Sequence, residues 1–342
     1  MGEVLTILSG SRSVDEKKWR LFTGNHPRGN IFHSPWMVNL HLSAKDSIPY
    51  ALFCVGADQN IIGLLVAYVM KEGSGIVSFL TSRAIIWGGP LALDDNVTVC
   101  ELLLKSLKAN LKGEIVFIQI RNLFDTGHLR LIFEKEQFMF EDHLDILFDL
   151  QQPVKSLWSG VHPTRRKQIN RALRRGVSTY ITMDPSGSET EVCYQLLSKI
   201  YRKTKLPLPR LSFFLKAREL NEGGEKLGMA AALYAGQIIG FRFFLVYNGV
   251  IYDWYAASDE NHYDKYPNDI LPWALIEWGC NNGYRIFDFG GAGDPHKKYG
   301  VRDYKLKFGG DKVNYGRYLF ISRPLIYYSG KAFVNLRKKI TG

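Results

Sequence analysis

Two periods take turns along the chain: apolar residues alternate with polar ones over short spans, and recur at helical spacing over longer ones. YALFCVGA at 50–57, the turn DQN and IIGLLVAYVM at 61–70 predict a β-hairpin rich in β-branched and aromatic residues. EGSG and the apolar IVSFLTS come next. NVTVCELLLKSLKANLKG has a helical pattern that closes on Gly113, and EIVFIQIRN at 114–122 reads as a strand. A boundary is expected at FDLQQPV, where Pro153 ends a strand and a new helical pattern begins, which sets domains at residues 1–152 and 153–319.

The second half repeats the order. HPTRRKQINRALRRGV predicts a helix stopping at Gly176, with Ile169, Ala172 and Leu173 on one face and Lys167, Arg171, Arg174 and Arg175 on the other. A helix at SETEVCYQLLSKIYRKT follows. LGMAAALYAGQIIGFRFFLVYNGVIYDWYAAS then predicts three antiparallel strands joined at AG and NG, the second a strong hairpin signal. PNDILPWALIEWGCNNGY gives a helix starting near Pro267 and ending around NNG, with Pro272 inside it. The short strand YRIFDF runs into DFGGAGDPHKKYGVRDYKLKFGG at 288–310, a polar, Gly-rich loop whose backbone is expected to approach something closely. Two units of hairpin strands, helix and strand imply a tandem α+β architecture with mixed sheets. No sequence repeat links the halves, so the duplication rests on element order.

At 342 residues, 46% hydrophobic and 13% aromatic, the chain has material for two folded domains. Its charge is one-sided. Residues 1–150 hold 14 Lys and Arg against 17 Asp and Glu, whereas the rest holds 30 against 16. A basic second half points to an anionic partner, whether nucleic acid, nucleotide phosphates or an acidic membrane surface, or else to a merely solubilising surface. No apolar run reaches the roughly 20 residues of a membrane span, and the N-terminus lacks the pattern of a secretory signal, so a cytoplasmic location is expected. Cys54, Cys100, Cys193 and Cys280 are scattered without metal-ligand spacing and are expected as reduced core residues. No metal and no nucleotide cofactor is called for, because GxxxxGK[ST] is absent and GGAG is expected to lack a following helix. QIIGFR only begins the acyl-CoA signature Q/R-x-x-G-x-G/A, which disfavours that donor.

The segment FDFGGAGDPHKKYGVRDYKLKFGG, preceded by YPNDILPWALIEWGCNNGYRIF, resembles the C-terminal signature of the FemABX-like family: a strand ending in D-F-G-G, then Y-G-[LV], an aromatic-Lys pair and F-G-G. The match spans residues 266–310, with weaker support from RRKQINRALRRGV and IFHSPWM. The resemblance implies tandem GNAT-like domains, that is, acyl-CoA N-acyltransferase-like units with mixed, mainly antiparallel sheets flanked by helices, joined across a cleft, with residues 320–342 returning to the first. It also implies transfer of an amino acid from aminoacyl-tRNA to an amine of a lipid-linked or nucleotide-linked cell-wall precursor. Its aromatic-Lys pair falls on Tyr304 and Lys305, the lysine near the reacting ester. TKLPLPRLSFF departs from the T-x-x-R-G-[FY] segment of close relatives, and the long helical arm of some members is missing.

The chemistry needs a deprotonated amine, a positive or N–H-rich spot for the oxyanion, and anchors for phosphates. Lys305 suits the oxyanion, and Lys297, Lys298 and Arg302 could hold phosphates or simply be solvated. Asp253 and Tyr255, one residue apart, are expected on one strand face, Asp253 as proton acceptor. Asp288 is expected to fix the glycine loop, where Gly290 and Gly291 allow close approach. Arg171, Arg174 and Arg175 are anion-binding candidates on a helix with six basic residues and no acid. From Ser329 on, Phe333, Leu336 and Ile340 recur at helical spacing beside Lys331, Arg337, Lys338 and Lys339, a tail that could rest on the inner face of an anionic membrane or pack on the first domain. A monomer is expected. The rival readings are an acyltransferase using a thioester donor on a polysaccharide or lipid amine, and a non-catalytic nucleic-acid-binding protein, which lacks any RNA-binding signature.

Overall fold

The computed structural model describes residues 5–44, 47–221 and 225–341, with the side chains beyond Ala332 and that of Ala44 outside the described residues. Two compact units divide the chain: residues 1–142 with 315–342, and residues 143–314.

Unit 1 is built on β1 (Thr6–Ser9), β2 (Ile48–Val55), β3 (Ile61–Met70), β4 (Arg83–Trp87), β5 (Leu91–Ala92), β6 (Phe117–Arg121) and β7 (Met139–Glu141). The late strand Arg317–Ile321 inserts between β6 and β7, giving the order β1-β2-β3-β4-β6, then that strand, then β7, with β5 against β3. Every pairing is antiparallel except β4 with β6. The predicted helix forms over Val97–Asn110, where the Asn96 side chain accepts from the N–H groups of Thr98 and Val99. It buries Val99, Cys100, Leu103, Leu104 and Leu107 against Leu65, Ala67, Ile118 and Ile120. Each such aliphatic side chain contributes about 1.5–3 kcal/mol on burial. Within IVSFLTS, Gly75–Leu80 forms a short helix whose Ile76 and Val77 stay exposed.

Unit 2 holds β8 (Leu144–Asp149), β9 (Ser178–Thr182), β10 (Lys226–Tyr234), β11 (Gln237–Tyr247), β12 (Val250–Ser258), β13 (Ile286–Gly293) and β14 (Asp311–Val313), ordered β14-β8-β13-β12-β11-β10-β9. Both predicted hairpins are present. Ala235–Gly236 and Asn248–Gly249 all take positive φ, the conformation that matches a two-residue turn to the strand twist. The basic helix spans Pro163–Arg174 and the next spans Gly187–Thr204, with a reciprocal Ser186–Glu189 capping box. Leu211–Glu219 forms a further helix. Pro267–Asn281 buries Ile270, Leu271, Leu275 and Ile276 in the core.

Two expectations are corrected. The segment after DFGGAG is not all loop: Gly300–Leu306 coils into a helix that carries Tyr304 and Lys305. Leu173, placed by spacing on the apolar face, is 55% exposed, because Ile169 and Ala172 alone reach the core of so short a helix. The tandem α+β plan holds, each unit a mixed sheet flanked by helices and interrupted by one parallel strand pair.

Candidate functional site

β12 and β13 run parallel and pair only from Val250–Tyr252 to Ile286–Asp288; beyond that rung they part. Ligand sites favour the carboxyl ends of parallel strands where the chain leaves the sheet in two directions. At the same level β12 bulges: Phe244 faces Asp253, whereas Phe243 faces Tyr255, leaving Trp254 as the extra residue. The bulge overturns the expectation that Asp253 and Tyr255 share a face. Alternation fails across an extra residue, so Tyr255 packs on Phe214 at 5.0 Å between ring centroids while Asp253 joins the face of Arg242. There Arg242 Nε and Nη2 donate to the two Asp253 carboxylate oxygens at 2.8 and 2.5 Å. Burial alone would lower the Arg242 pKa, but the adjoining carboxylate outweighs it and holds the guanidinium above its ordinary value.

The glycine turn closes the other side. Gly290, at φ +79°, donates its N–H to Asp288 Oδ1 at 2.8 Å, the loop-fixing role expected of Asp288. Lys305 is buried and points its ammonium into the turn. Nζ donates to the carbonyl oxygens of Phe289, of Gly290 at 2.9 Å and of Gly291 at 3.1 Å, which uses all three of its protons. The same ammonium lies 5.1 Å from the Phe289 ring centroid, and the Arg242 guanidinium 5.0 Å from it. Burial lowers the Lys305 pKa, opposed by Asp253 and Asp145. Asp288 is pushed well above the carboxylate range, first by burial and then by the carboxyl of Asp145 beside it.

Tyr304 is fixed by a local defect. Pro272 has no N–H, which frees the carbonyl of Asn268 four residues earlier in the helix; the Tyr304 hydroxyl donates to that oxygen. Burial pushes the Tyr304 pKa up to about 12. Arg165 lies 4.8 Å over its ring and pairs with the buried Asp269. Tyr304, Lys305, Asp253, Gly290 and Gly291 therefore stand together.

The remaining candidates are spread out. Arg302 donates to the carbonyls of Asp294 at 2.8 Å and Lys297 at 2.5 Å, and so ties down its own loop. Lys297 pairs with Asp294 at 2.7 Å, and Lys298 is exposed. Arg171 is half-buried, Arg174 exposed, and Arg175 pairs with Asp264 at 3.6 Å. The C-terminal helix runs Pro324–Thr341, but the side chains of Phe333, Leu336, Arg337, Lys338, Lys339 and Ile340 lie outside the described residues. No helix among the described residues is long and apolar enough to cross a membrane. Arg242 and Asp145 escaped the sequence reading. The available signal was a single charge inside each of two apolar strands, FRFFLV and LDILF, since a buried charge demands a partner.

A sheet of this order, split at one parallel pair and closed by a glycine turn, occurs here in a tandem GNAT-like arrangement, the class the fold defines. Residues 163–298 match the family model described as an acetyltransferase (GNAT) domain. The chain is FemABX-like in fold, as the resemblance implied: it is similar to the crystal structure of FemX at a TM-score of 0.69, with 13% identity over 94% of this chain and 99% of that one. It is also similar to the C-terminal domain of a putative lysylphosphatidylglycerol synthetase from Agrobacterium fabrum (TM-score 0.58, 12% identity, 93% of this chain and 95% of that one). A tandem GNAT protein from the clavulanic acid biosynthesis pathway is similar at a TM-score of 0.57, with 10% identity over 93% of this chain and 99% of that one. No curated protein sequence matches.

Proposed function

We propose that the protein is an aminoacyltransferase that moves an amino acid from aminoacyl-tRNA to an amine of a cell-wall precursor, with its reacting centre at the Lys305 turn. The observation that carries this reading is the buried ammonium held at the split of β12 and β13, beside a carboxylate that keeps acceptor capacity. Attack of an amine on the ester carbonyl builds negative charge on one oxygen, and a fixed cation in a water-poor site stabilises it. Lys305 is that cation, and the bond to the Gly291 carbonyl, the longer of the two at 3.1 and 2.9 Å, is the one exchanged for the oxyanion. Arg242 takes up two of the roughly four acceptor positions of the Asp253 carboxylate, which leaves the others to orient the incoming amine, receive its proton and return it to the ribose oxygen of the tRNA as the ester C–O bond breaks and the amide forms. Tyr304 anchors the helix that carries the lysine.

The acetyltransferase family match over residues 163–298 favours a second reading, in which the donor is an acyl thioester and the acceptor an amine of a polysaccharide or lipid precursor. Incubation with a mixed pool of aminoacyl-tRNAs and wall precursors, followed by mass spectrometry, separates the two. The first reading requires an acceptor heavier by one aminoacyl residue, and steep salt dependence of charged-tRNA binding. Acylation from a thioester alone assigns the second, and tRNA binding without any transfer removes both.

A further inference from the structure

We infer that unit 1 carries an oxyanion-binding site, for a phosphate or carboxylate group, on the sheet face that bears Arg121. Register sets the row Trp87, Arg121, Arg317 and Glu141 across β4, β6, the strand Arg317–Ile321 and β7. Residues in one row share a face, so Arg121 and Arg317 are direct cross-strand neighbours with Cβ atoms about 5 Å apart, an arrangement that destabilises a sheet when both carry the same charge. Arg83 lies on the same face of β4, two alternations from Trp87, and its charge is answered by Glu72 at 2.6 Å.

Arg121 has no such answer. Its Nε donates to Gln119 Oε1 at 3.0 Å and its guanidinium sits 5.6 Å from the Trp87 ring centroid, but among the described residues no carboxylate lies within ion-pairing distance. Half-buried charges in folded proteins are paired. Here the charged groups that act on Arg121 are two more arginines. Burial lowers its pKa to about 9, and Arg317 and Arg83 push in the same direction. The row also lies at the carboxyl ends of the parallel pair β4 and β6, where Gly88 turns away at φ +91° and donates to the Arg121 carbonyl at 2.8 Å. A planar guanidinium with its outer N–H groups unspent, next to a second one, fits two oxygens of a carboxylate or phosphate. The site is in unit 1 and does not depend on the reaction proposed for unit 2.

The test titrates inorganic phosphate, pyrophosphate and succinate into the full chain at constant ionic strength, with chloride as the control, and follows binding by calorimetry and thermal unfolding. At least one oxyanion is expected to bind and to raise the Tm of the wild type; phosphate or pyrophosphate alone assigns a phosphate site, and succinate alone a carboxylate site. Arg121→Met is expected to weaken that binding at least tenfold, and in chloride to be no less stable than the wild type, since it removes an unanswered charge. Arg317→Met is expected to weaken binding as well. The inference falls if none of the three anions differs from chloride, if Arg121→Met binds like the wild type, or if Arg121→Met loses stability in chloride, which would show the charge already satisfied.

Discussion

Replacing Lys305 by Met tests the glycine-turn clamp and the chemistry separately. The side chain keeps its length but loses three donors, leaving the carbonyls of Phe289, Gly290 and Gly291 without the ammonium. A buried acceptor stripped of its partner costs about 1–3 kcal/mol, so three would cost several. Water reaches part of the turn, because Gly291 is exposed, and removal of a desolvated charge offsets some of the loss. A net destabilisation of about 2–4 kcal/mol follows from these opposing effects, and at roughly 2–4 °C per kcal/mol for a unit of this size the Tm falls by about 5–15 °C. Loss of one oxyanion stabiliser lowers turnover about 10²–10³-fold. The assays are thermal unfolding, hydrogen exchange at the turn, and single-turnover transfer at a temperature where the variant stays folded. Unchanged exchange at Gly290 and Gly291 would refute the clamp. Slower transfer in Lys305→Met with full recovery in Lys305→Arg, which restores donors to the turn but not the same point charge, would make Lys305 a positioning residue only.

The Arg242–Asp253 pair is buried on both sides, so Arg242→Met or Asp253→Asn alone should cost about 3–5 kcal/mol by leaving one charge stranded. The double variant should recover most of that stability in denaturant unfolding while transfer stays impaired; additive losses would show that the two side chains do not depend on each other. His33 is fully buried, its Nε2 donates to the Gly89 carbonyl at 2.9 Å, and burial lowers its pKa to about 4. The unfolded chain takes up a proton near pH 6.5 that the folded chain refuses until about pH 4, so this stability is present above pH 6.5 and is lost as pH falls through that window, up to about 3 kcal/mol. His41, lowered to about 3, acts in the same direction. A Tm-against-pH scan should therefore be flatter between pH 6.5 and 4 in His33→Gln than in the wild type, and parallel scans would exclude His33 from the acid limb.

Elements whose signals lie within a few residues of each other were legible in the chain. Asn248–Gly249 determines a hairpin because Asn and Gly enter successive positive φ angles at little steric cost, and Asn96 and Ser186 start helices by supplying acceptors to free N–H groups. The glycine motif likewise holds Gly290, Gly291, Tyr304 and Lys305 within one short segment. Tertiary structure decided what those groups touch. One extra residue at Trp254 turned Tyr255 to the other face and left Asp253 to Arg242, and an N–H missing at Pro272 gave Tyr304 its acceptor 36 residues away. The Arg121–Arg317 row joins residues separated by nearly 200 positions. Turns and caps depend on bonds a segment makes with itself, whereas register and charge partners follow from packing summed over the whole sheet, which no short stretch contains.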